Sequence, residues 1–173
     1  MKARKVSDNF FNKKAKEVAP ALLGSFLIRE VGGKKIKAKI VETEAYCGEK
    51  DLACHASKGR TGRTEIMYQK AGTIYVYLCY GMHYMLNIVV SKKDDPEAVL
   101  IRGIEIDGEK IHGPGRVTKA LNINKKLNGK KLGPKDGLWL EKGETLKHQK
   151  TARIGVHYTG PIWSKRLLRF VEE

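Results

Sequence analysis

The sequence predicts an α+β fold: a single domain over residues 1–173, with a curved, mainly antiparallel β-sheet, a protruding β-hairpin and a few short helices. Two turns support the sheet, since Gly32-Gly33 and Tyr80-Gly81 each join two runs of apolar residues. The helices are supported by apolar residues that recur at helical spacing before the first turn. A chain of 173 residues is long enough to bury one core and too short for two ordinary domains.

The individual elements follow from local patterns. A helix is predicted over residues 13–23, with Asn12 as its N-cap and an end at Gly24. Pro20, inside this run, should either kink the helix or shift its start. A second, shorter helix is predicted over residues 117–121. The predicted strands cover residues 25–31, 34–46, a hairpin within 72–90, then 98–106, 138–141 and 152–157.

The charge of the chain indicates a polyanionic partner. Lys and Arg outnumber Asp and Glu by 34 to 19, which leaves a formal net charge of +15. Nucleic acid is the first candidate partner and an anionic membrane surface the second. The sequence has no apolar run near the ~18 residues of a membrane span and no N-terminal signal pattern. We therefore expect a soluble intracellular protein, cytoplasmic and nucleoid-associated in a prokaryote or nuclear in a eukaryote.

The cysteines do not form a recognisable metal or disulfide pattern. Their number is three, and no two of them form a Cys-x-x-Cys pair. Cys47 and Cys54 lie with His55 in a polar loop over residues 47–70, but their spacing matches no standard zinc site. We expect no metal and no cofactor. A loop of this length without regular structure is more often functional than not.

The longest predicted strand brings two carboxylates to the end of an apolar stripe. Alternate residues of a strand share a face, so the apolar face of residues 34–46 begins with Ile36, Ala38 and Ile40. Strict alternation continues this face into Glu42, Glu44 and Tyr46. Acidic groups held on rigid backbone beside a core suit a catalytic acid or base. In the alternative, the strand changes face at Val41 and exposes both glutamates.

Arg102 lies among apolar residues in another predicted strand. A buried guanidinium needs a carboxylate partner, and Glu44 or Glu42 is the natural one. The pair is either a plain ion pair or, if it also holds a water molecule, a hydrolytic centre. In the second case Arg102 keeps the glutamate ionised despite its burial, so that it can accept a proton.

Aromatic residues form two further groups. The turn at Tyr80 is surrounded by Met82, His83 and Tyr84, which are bulky for a hairpin tip. Such a tip either inserts into a stack of DNA bases or packs beneath the long loop. The second group consists of Tyr46, His55, Tyr75 and Tyr77. These side chains can sandwich a base that has been flipped out of a duplex, or they form an ordinary core with polar tips.

Several of these motifs, in this order, resemble the alkyladenine (3-methyladenine, or methylpurine) DNA glycosylase family. The resemblance covers nearly the whole chain. It is carried by Ala21–Gly24, Val41–Tyr46, His55, Gly72–Asn87, Leu100–Arg102, Gly113–Gly115 and Arg153–Val156.

The resemblance implies a monofunctional glycosylase that flips alkylated purines, and in some members deaminated ones, out of duplex DNA. Such an enzyme hydrolyses the N-glycosidic bond and so initiates base excision repair. The family resemblance also implies that the enzyme needs no metal or other cofactor and has no lyase step. We expect a monomer whose partner is double-stranded DNA with damaged purines.

The resemblance also implies roles for individual residues. Glu44 would be the general base that activates water, with Arg102 holding it and a backbone carbonyl of residues 154–156 completing the water site. The base pocket would consist of Tyr46, His55, Tyr77 and Asn87, and Asn87 would disfavour guanine. DNA intercalation and minor-groove contact would fall to Tyr80, Met82 and His83, although His83 stands where the family pattern has tyrosine.

Three other functions compete with this one. In a DNA- or RNA-binding module without catalysis, Glu44 and Arg102 would form only a salt bridge. In a metal-dependent nuclease, Glu42 and Glu44 would be metal ligands. A bifunctional glycosylase would attack the sugar with a lysine amine, and the chain is rich in lysine.

Overall fold

The computed structural model describes residues 4–173; residues 1–3, which the predicted domain includes, lie outside the described residues. Its strands are β1 Phe26–Val31, β2 Lys34–Tyr46, β3 Ile74–Cys79, β4 His83–Val90, β5 Glu97–Ile106, β6 Glu109–His112, β7 Leu138–Glu141, β8 His148–Thr151 and β9 Arg169–Glu172. The α-helices are α1 Ala15–Ala21, α2 Pro114–Ala120 and α3 Gly160–Trp163.

The strands of the described chain form one sheet in which every pairing is antiparallel. The order is β3-β4-β5-β2-β1-β7, while β6 pairs with β5, β9 pairs with β2, and β8 pairs with β9. The prediction of an α+β fold with a mainly antiparallel sheet is confirmed. The long strand β2 is its centre, since it pairs with β1, β5 and β9.

Both predicted hairpins are present. Val31 pairs with Lys34 around Gly32-Gly33, whose φ angles of 57° and 75° lie in the left-handed region that glycine tolerates. Cys79 pairs with His83 around the second turn. Tyr80 has a φ of 51°, which is unusual for a residue with a side chain.

The first helix is shorter than predicted. α1 begins after Lys14, and the predicted cap Asn12 instead ends a 3-10 turn. The carboxylate of Glu97 accepts the free N–H of Ala15 at 2.6 Å. Glu97, 82 residues away, and the local Glu17, which accepts the N–H of Lys14 at 3.2 Å, therefore cap the start of α1 in place of Asn12. Pro20 lies inside the helix, which ends one residue later.

The strand predicted over residues 152–157 is wrong. The strand in this part of the chain is β8, which ends at Thr151. Arg153 is buried beneath the following turn, and Gly155 has a φ of 76°, so the backbone cannot stay extended there. Residues 152–157 therefore form a connection that leaves the sheet.

The two faces of the sheet are covered differently. One face carries the main core, where α1 and α2 pack on the strands. The Thr43 hydroxyl donates to the carbonyl of Ala19 in α1 at 2.8 Å, and the Thr118 hydroxyl of α2 donates to the carbonyl of Tyr84 at 2.8 Å. The opposite face carries a smaller cluster formed with the loop over residues 47–70; its buried members include Cys54, Met67, Tyr68, Tyr75, Val89 and Ala98.

Paired irregularities in β2 and β5 decide which residues lie on which face. Ile40 pairs with Ile104 and Thr43 pairs with Ile101, with register shifts on both sides of Glu42. The paired positions are three residues apart in each strand, so strict alternation would place them on opposite faces. The irregular pairing at Glu42 instead keeps both pairs on one face, and the alternation after them is reversed. Thr43 and Ile101 thus share the face of the main core, and the side chains moved to the opposite face include Glu44, Tyr46, Leu100 and Arg102.

The strict alternation predicted for β2 is therefore wrong beyond Ile40. The alternative, in which the strand changes face and exposes both glutamates, is correct about the face and wrong about the exposure. Glu42 is 1% exposed and Glu44 is 0% exposed. Two carboxylates are thus buried together on the face opposite the helices, which is an unusual arrangement that calls for specific partners.

Candidate active site

A cavity of about 660 Å³ opens on this second face of the sheet. It lies between the strand ends, the loop over residues 47–70, the β3–β4 hairpin and the start of α2. Eight of the nine residues to which the family resemblance assigns a site role line it: Glu44, Tyr46, His55, Tyr77, Tyr80, His83, Asn87 and Arg102. The ninth, Met82, is exposed at the hairpin tip.

Glu44 is fully buried and has two hydrogen-bond donors. The Tyr46 hydroxyl donates to its Oε2 at 2.8 Å, and the backbone N–H of Ile154 donates to its Oε1 at 2.9 Å. Burial raises the pKa of Glu44, while the charge of Arg102 and both hydrogen bonds oppose the rise without cancelling it. The result is a carboxylate that is more basic than an exposed one and fixed in orientation.

Arg102 lies between the two carboxylates and closer to Glu42. Its Nε is 3.0 Å from Oε1 of Glu42 and 3.8 Å from Oε1 of Glu44. The prediction that Arg102 faces Glu44 or Glu42 is confirmed for both. The guanidinium is thereby held by one carboxylate while its charge acts on the other.

Glu42 is the centre of a group of arginine and histidine side chains. Nε of Arg169 donates to its Oε1 at 2.6 Å, and Nδ1 of His112 lies 2.9 Å from its Oε2. Burial raises the pKa of Glu42, but the hydrogen bonds from His112 and Arg169 and the charge of Arg102 outweigh it and leave the pKa below its usual value. Glu42 and Glu44, two residues apart, therefore have pKa values displaced in opposite directions.

The connection after β8 is held against Glu44 by a buried ion pair. Arg153 and Asp51 are joined by two hydrogen bonds, of 2.6 and 2.9 Å, and both side chains are fully buried. Arg153 also donates to the carbonyl of Ala45 at 2.9 Å, and its guanidinium stacks 4.8 Å from the ring centre of Tyr46. This arrangement places the N–H of the next residue, Ile154, on Glu44.

Asp51 is a residue that positions the site through Arg153 and that the sequence did not reveal. Besides Arg153, its carboxylate accepts the backbone N–H groups of Cys47 and Ala53 at 2.9 and 3.0 Å. An aspartate in a polar loop gives no local sign of burial, and its partner lies 102 residues away. Residues 154–156 line the cavity, and the backbone N–H of Ile154 contacts Glu44; the role of one of their carbonyls in the water site stays a prediction.

An aromatic wall faces Glu44 across the cavity. The His55 and Tyr77 rings meet edge to face with centroids 4.5 Å apart, and Nδ1 of His55 lies 2.9 Å from the Tyr75 hydroxyl. Burial lowers the pKa of His55 to about 4, with further lowering from the charges of Arg63 and Lys58. The imidazole is therefore neutral near pH 7, so it does not repel a cationic group in the cavity.

Arg63 and Asn87 complete the wall. The Arg63 guanidinium lies 5.4 Å from the centre of the Tyr77 ring, within reach of a cation–π contact. Asn87 is buried on β4, and its Nδ2 donates to the carbonyl of Tyr75 at 3.3 Å. The side-chain amide of Asn87 is therefore fixed in position at the cavity wall.

The hairpin tip projects beside the cavity. Tyr80 is 92% exposed and Met82 is 72% exposed. The alternative that the tip packs beneath the long loop is therefore wrong. His83 lies against the start of α2, where a Cβ on Gly115 would approach the His83 Cγ to 2.8 Å. Only glycine allows the hairpin and the helix to approach this closely.

Two kinds of arrangement are absent from the described part of the chain. Within residues 4–173, no group of three or more His, Cys, Asp and Glu side chains is arranged to hold a metal ion. No helix in that range is both long and apolar enough to cross a membrane.

Comparison with known proteins gives one consistent family. A family model described as methylpurine-DNA glycosylase matches residues 9–173. A protein of Borreliella afzelii is 44% identical over 174 residues, covering 95% of this chain and 94% of its own, and one of Legionella pneumophila (strain Lens) is 41% identical over 181 residues, covering 96% and 93%. A protein of Natranaerobius thermophilus is 44% identical over 146 residues, covering 74% of each chain. All three carry the name "Putative 3-methyladenine DNA glycosylase".

Proposed function

The chain belongs to the methylpurine-DNA glycosylase family, whose activity is that of a hydrolase acting on N-glycosyl bonds. We propose that it releases damaged purines from double-stranded DNA, and that Glu44 activates the water molecule that hydrolyses the bond. The observation that carries the proposal is the position of Glu44. It is fully buried, it lines the cavity, and two hydrogen bonds aim its carboxylate.

The chemistry requires one strong base. As the bond between the sugar carbon and the base nitrogen breaks, the bonding electrons leave with the purine and positive charge develops on the sugar. Ionised Glu44 stabilises that charge and accepts a proton from the water that attacks the sugar carbon. Arg102 lies 3.0 Å from Glu42, and its charge favours the ionised form of Glu44. Because Arg102 is farther from Glu44, at 3.8 Å, the Glu44 carboxylate can still accept a proton.

The aromatic wall is suited to a purine flipped out of the duplex. His55 and Tyr77 offer stacking surfaces, and a cavity of about 660 Å³ has room for a purine base. Because the His55 imidazole is neutral near pH 7, as its lowered pKa of about 4 requires, a base made cationic by alkylation meets no charge repulsion from this ring. Asn87, fixed by the Tyr75 carbonyl, would clash with the 2-amino group of guanine and so discriminate against it.

Contacts between the exposed hairpin and DNA offset the free-energy cost of flipping. Tyr80 fills the gap that the flipped nucleotide leaves, and Met82 and His83 lie beside it in the minor groove. The base of the tip contacts α2, since His83 packs on Gly115. Unstacking costs a few kcal/mol per step, which contacts between the wedge and the distorted duplex offset.

The proposal includes a metal-free reaction without a lyase step, carried out by a monomer. Its support is that the groups assigned to catalysis include a general base and an arginine, and that the residues lining the cavity within the described range 4–173 include no lysine. We also propose that residues 1–173 form one glycosylase domain, of which the family model covers residues 9–173.

The test is base release in the presence of EDTA. Duplexes carrying ethenoadenine, hypoxanthine or undamaged adenine, and a duplex pretreated with a methylating agent, are incubated with the protein, and abasic sites are scored by alkaline cleavage. Release from a damaged duplex, with no trapping by borohydride, supports the proposal. Binding without release from any duplex would contradict it, as would release that requires a divalent metal.

A further inference from the structure

The segment between β8 and β9 exposes several large apolar side chains beside the cavity. They are Ile154 at 49%, Tyr158 at 69%, Ile162 at 68% and Leu167 at 57% exposure. We call residues 154–167 the C-terminal ledge. A cluster of exposed apolar side chains on one short segment is unusual for a protein surface and indicates a contact surface.

The ledge is an ordered platform. The Thr159 hydroxyl and N–H both donate to the carbonyl of Val156, at 2.6 and 3.1 Å, and α3 follows directly. The Arg166 guanidinium lies 4.6 Å from the centre of the Trp163 ring. At its start the ledge is fixed by the buried pair of Arg153 and Asp51. Its exposed side chains are therefore presented by a defined backbone.

The charge around the ledge has one sign. Residues 145–171 contain no Asp or Glu, although they contain six Lys and Arg residues. Lys165 and Arg166 are both exposed, at the end of the ledge. An apolar surface followed directly by the exposed cations Lys165 and Arg166 suits a polyanion that also offers sugar and base surfaces. Duplex DNA has both features.

The ledge is continuous with the cavity. Ile154 and Tyr158 line the same cavity as Tyr80, so the hairpin tip and the ledge both border the opening through which a flipped nucleotide would enter. A duplex whose base stack is entered by Tyr80 extends past that opening on both sides. Its sugars and phosphates then lie within reach of the ledge.

We propose that the C-terminal ledge is a second DNA-binding surface, which holds the duplex next to the flipped nucleotide. Tyr158 and Ile162 pack on sugars in the minor groove, and Lys165 and Arg166 each bind a phosphate. The inference rests on the proposed function. It adds a binding surface outside the cavity and the hairpin.

The test is the salt dependence of binding to a duplex with a non-cleavable abasic-site analogue. Each phosphate contact contributes about one unit to the slope of log K against log salt concentration. The variant Lys165→Ala/Arg166→Ala is expected to lower that slope by about two. Its matched control is Lys34→Ala/Lys35→Ala, which removes the same charge at the far end of β2, about 40 Å along the strand from Tyr46.

The outcomes are distinct. A lower slope in the ledge variant together with a wild-type slope in the control supports the proposal. Equal slopes in wild type and ledge variant would overturn it, as would an equal fall in both variants. Binding of the ledge to vesicles containing phosphatidylserine, with no change in the DNA slope, would assign the surface to a membrane instead and also overturn it.

A second variant tests the apolar part of the ledge. Tyr158→Ala is expected to weaken binding to the same duplex several-fold, whereas Tyr158→Phe retains it, because the ring supplies the contact. Wild-type binding by Tyr158→Ala would contradict the proposed packing. Since these assays measure binding alone, a failure of wild-type base release would contradict the proposed function without deciding the role of the ledge.

Discussion

The backbone N–H of Ile154 donates a hydrogen bond of 2.9 Å to Oε1 of Glu44, and the two residues are 110 positions apart in the chain. This contact ties the connection after β8 to the carboxylate at the end of β2. Its geometry depends on Arg153, whose side chain is anchored by Asp51. The catalytic proposal for Glu44 therefore depends on a buried ion pair that has no contact with the cavity.

The first prediction concerns that ion pair. Asp51→Asn leaves the Arg153 charge buried without a carboxylate, so the free energy of unfolding should fall by about 3–5 kcal/mol. Urea denaturation measures the change. The matched control is Glu65→Gln, which removes the partner of Arg60 in an exposed ion pair and should leave the unfolding midpoint nearly unchanged. Equal stabilities of Asp51→Asn and wild type would contradict the structural role of the pair.

The second prediction concerns pH. Burial raises the pKa of Glu44, so base release should increase with pH as Glu44 ionises, through a midpoint above the usual value for glutamate. Glu42→Gln removes a negative charge near Glu44 and leaves Arg102 and Arg169 without their carboxylate partner. The remaining cations then favour ionised Glu44, and the midpoint should move to lower pH. A plot of single-turnover rate against pH measures it.

The control for this shift is Glu105→Gln. Glu105 is on β5, as Arg102 is, but it pairs with Lys39 at 2.9 Å and does not line the cavity. Its loss should leave the midpoint in place. A midpoint that stays constant in Glu42→Gln, or moves to higher pH, would show that Glu42 does not act on Glu44 through Arg102.

The same two glutamates predict opposite effects of pH on stability. The pKa of Glu42 is lowered on folding, so its contribution stabilises the protein above the unfolded pKa and is lost as pH falls through the folded value. The raised pKa of Glu44 has the reverse sign, and ionisation of this group costs stability as pH rises. Glu44→Gln should therefore be more stable than wild type near pH 7. Thermal unfolding at pH 7 checks this, and a less stable variant would contradict it.

The third prediction concerns the joint between the hairpin and α2. A Cβ at position 115 would lie 2.8 Å from the Cγ of His83, so Gly115→Ala should displace the hairpin tip and slow base release. His83→Gly in the same chain removes the Cβ, Cγ and Nδ1 atoms that this Cβ would meet and should restore part of the rate. Gly133→Ala is the control, because a Cβ there meets nothing within 4 Å. Equal rates for Gly115→Ala and Gly133→Ala would contradict this account of the joint.

The fourth prediction concerns the wedge. Tyr80 is 92% exposed, so Tyr80→Ala should change the free energy of unfolding by less than about 0.5 kcal/mol. Base release should nevertheless fall strongly, because nothing fills the gap left by the flipped nucleotide. Tyr80→Phe should keep most of the rate. The fluorescence of 2-aminopurine opposite the lesion reports the flipping step, and an unchanged signal in Tyr80→Ala would contradict the wedge.

Much of the fold was predictable because its signals are local. The bounds of β2, its turn at Gly32-Gly33 and the hairpin at Tyr80 follow from alternation and glycine placement, and the structure agrees. The face of Glu44 was not predictable, because the irregular pairing of β2 with β5 depends on both strands. The false strand over residues 152–157 has a related cause, since Arg153 is drawn inward by the remote Asp51.

The candidate site was also predictable only in part. Residue types and their order pointed to Glu44 and the aromatic residues, and the structure places them around one cavity. The burial that raises the pKa of Glu44 and the partners that lower the pKa of Glu42 come together only when strands and loops pack. The Asp51–Arg153 pair and the exposure of Tyr158 and Ile162 therefore had no sequence signature.

The central claim is that Glu44 activates the water. Its most direct test is the single-turnover rate of base release by Glu44→Gln in EDTA, from the damaged duplex that wild type cleaves best, alongside affinity for the abasic-site analogue. The account predicts loss of release with affinity retained, since the amide keeps the shape of the side chain and cannot accept the proton. Release at the wild-type rate by Glu44→Gln would contradict it and leave Glu44 as part of a structural ion pair.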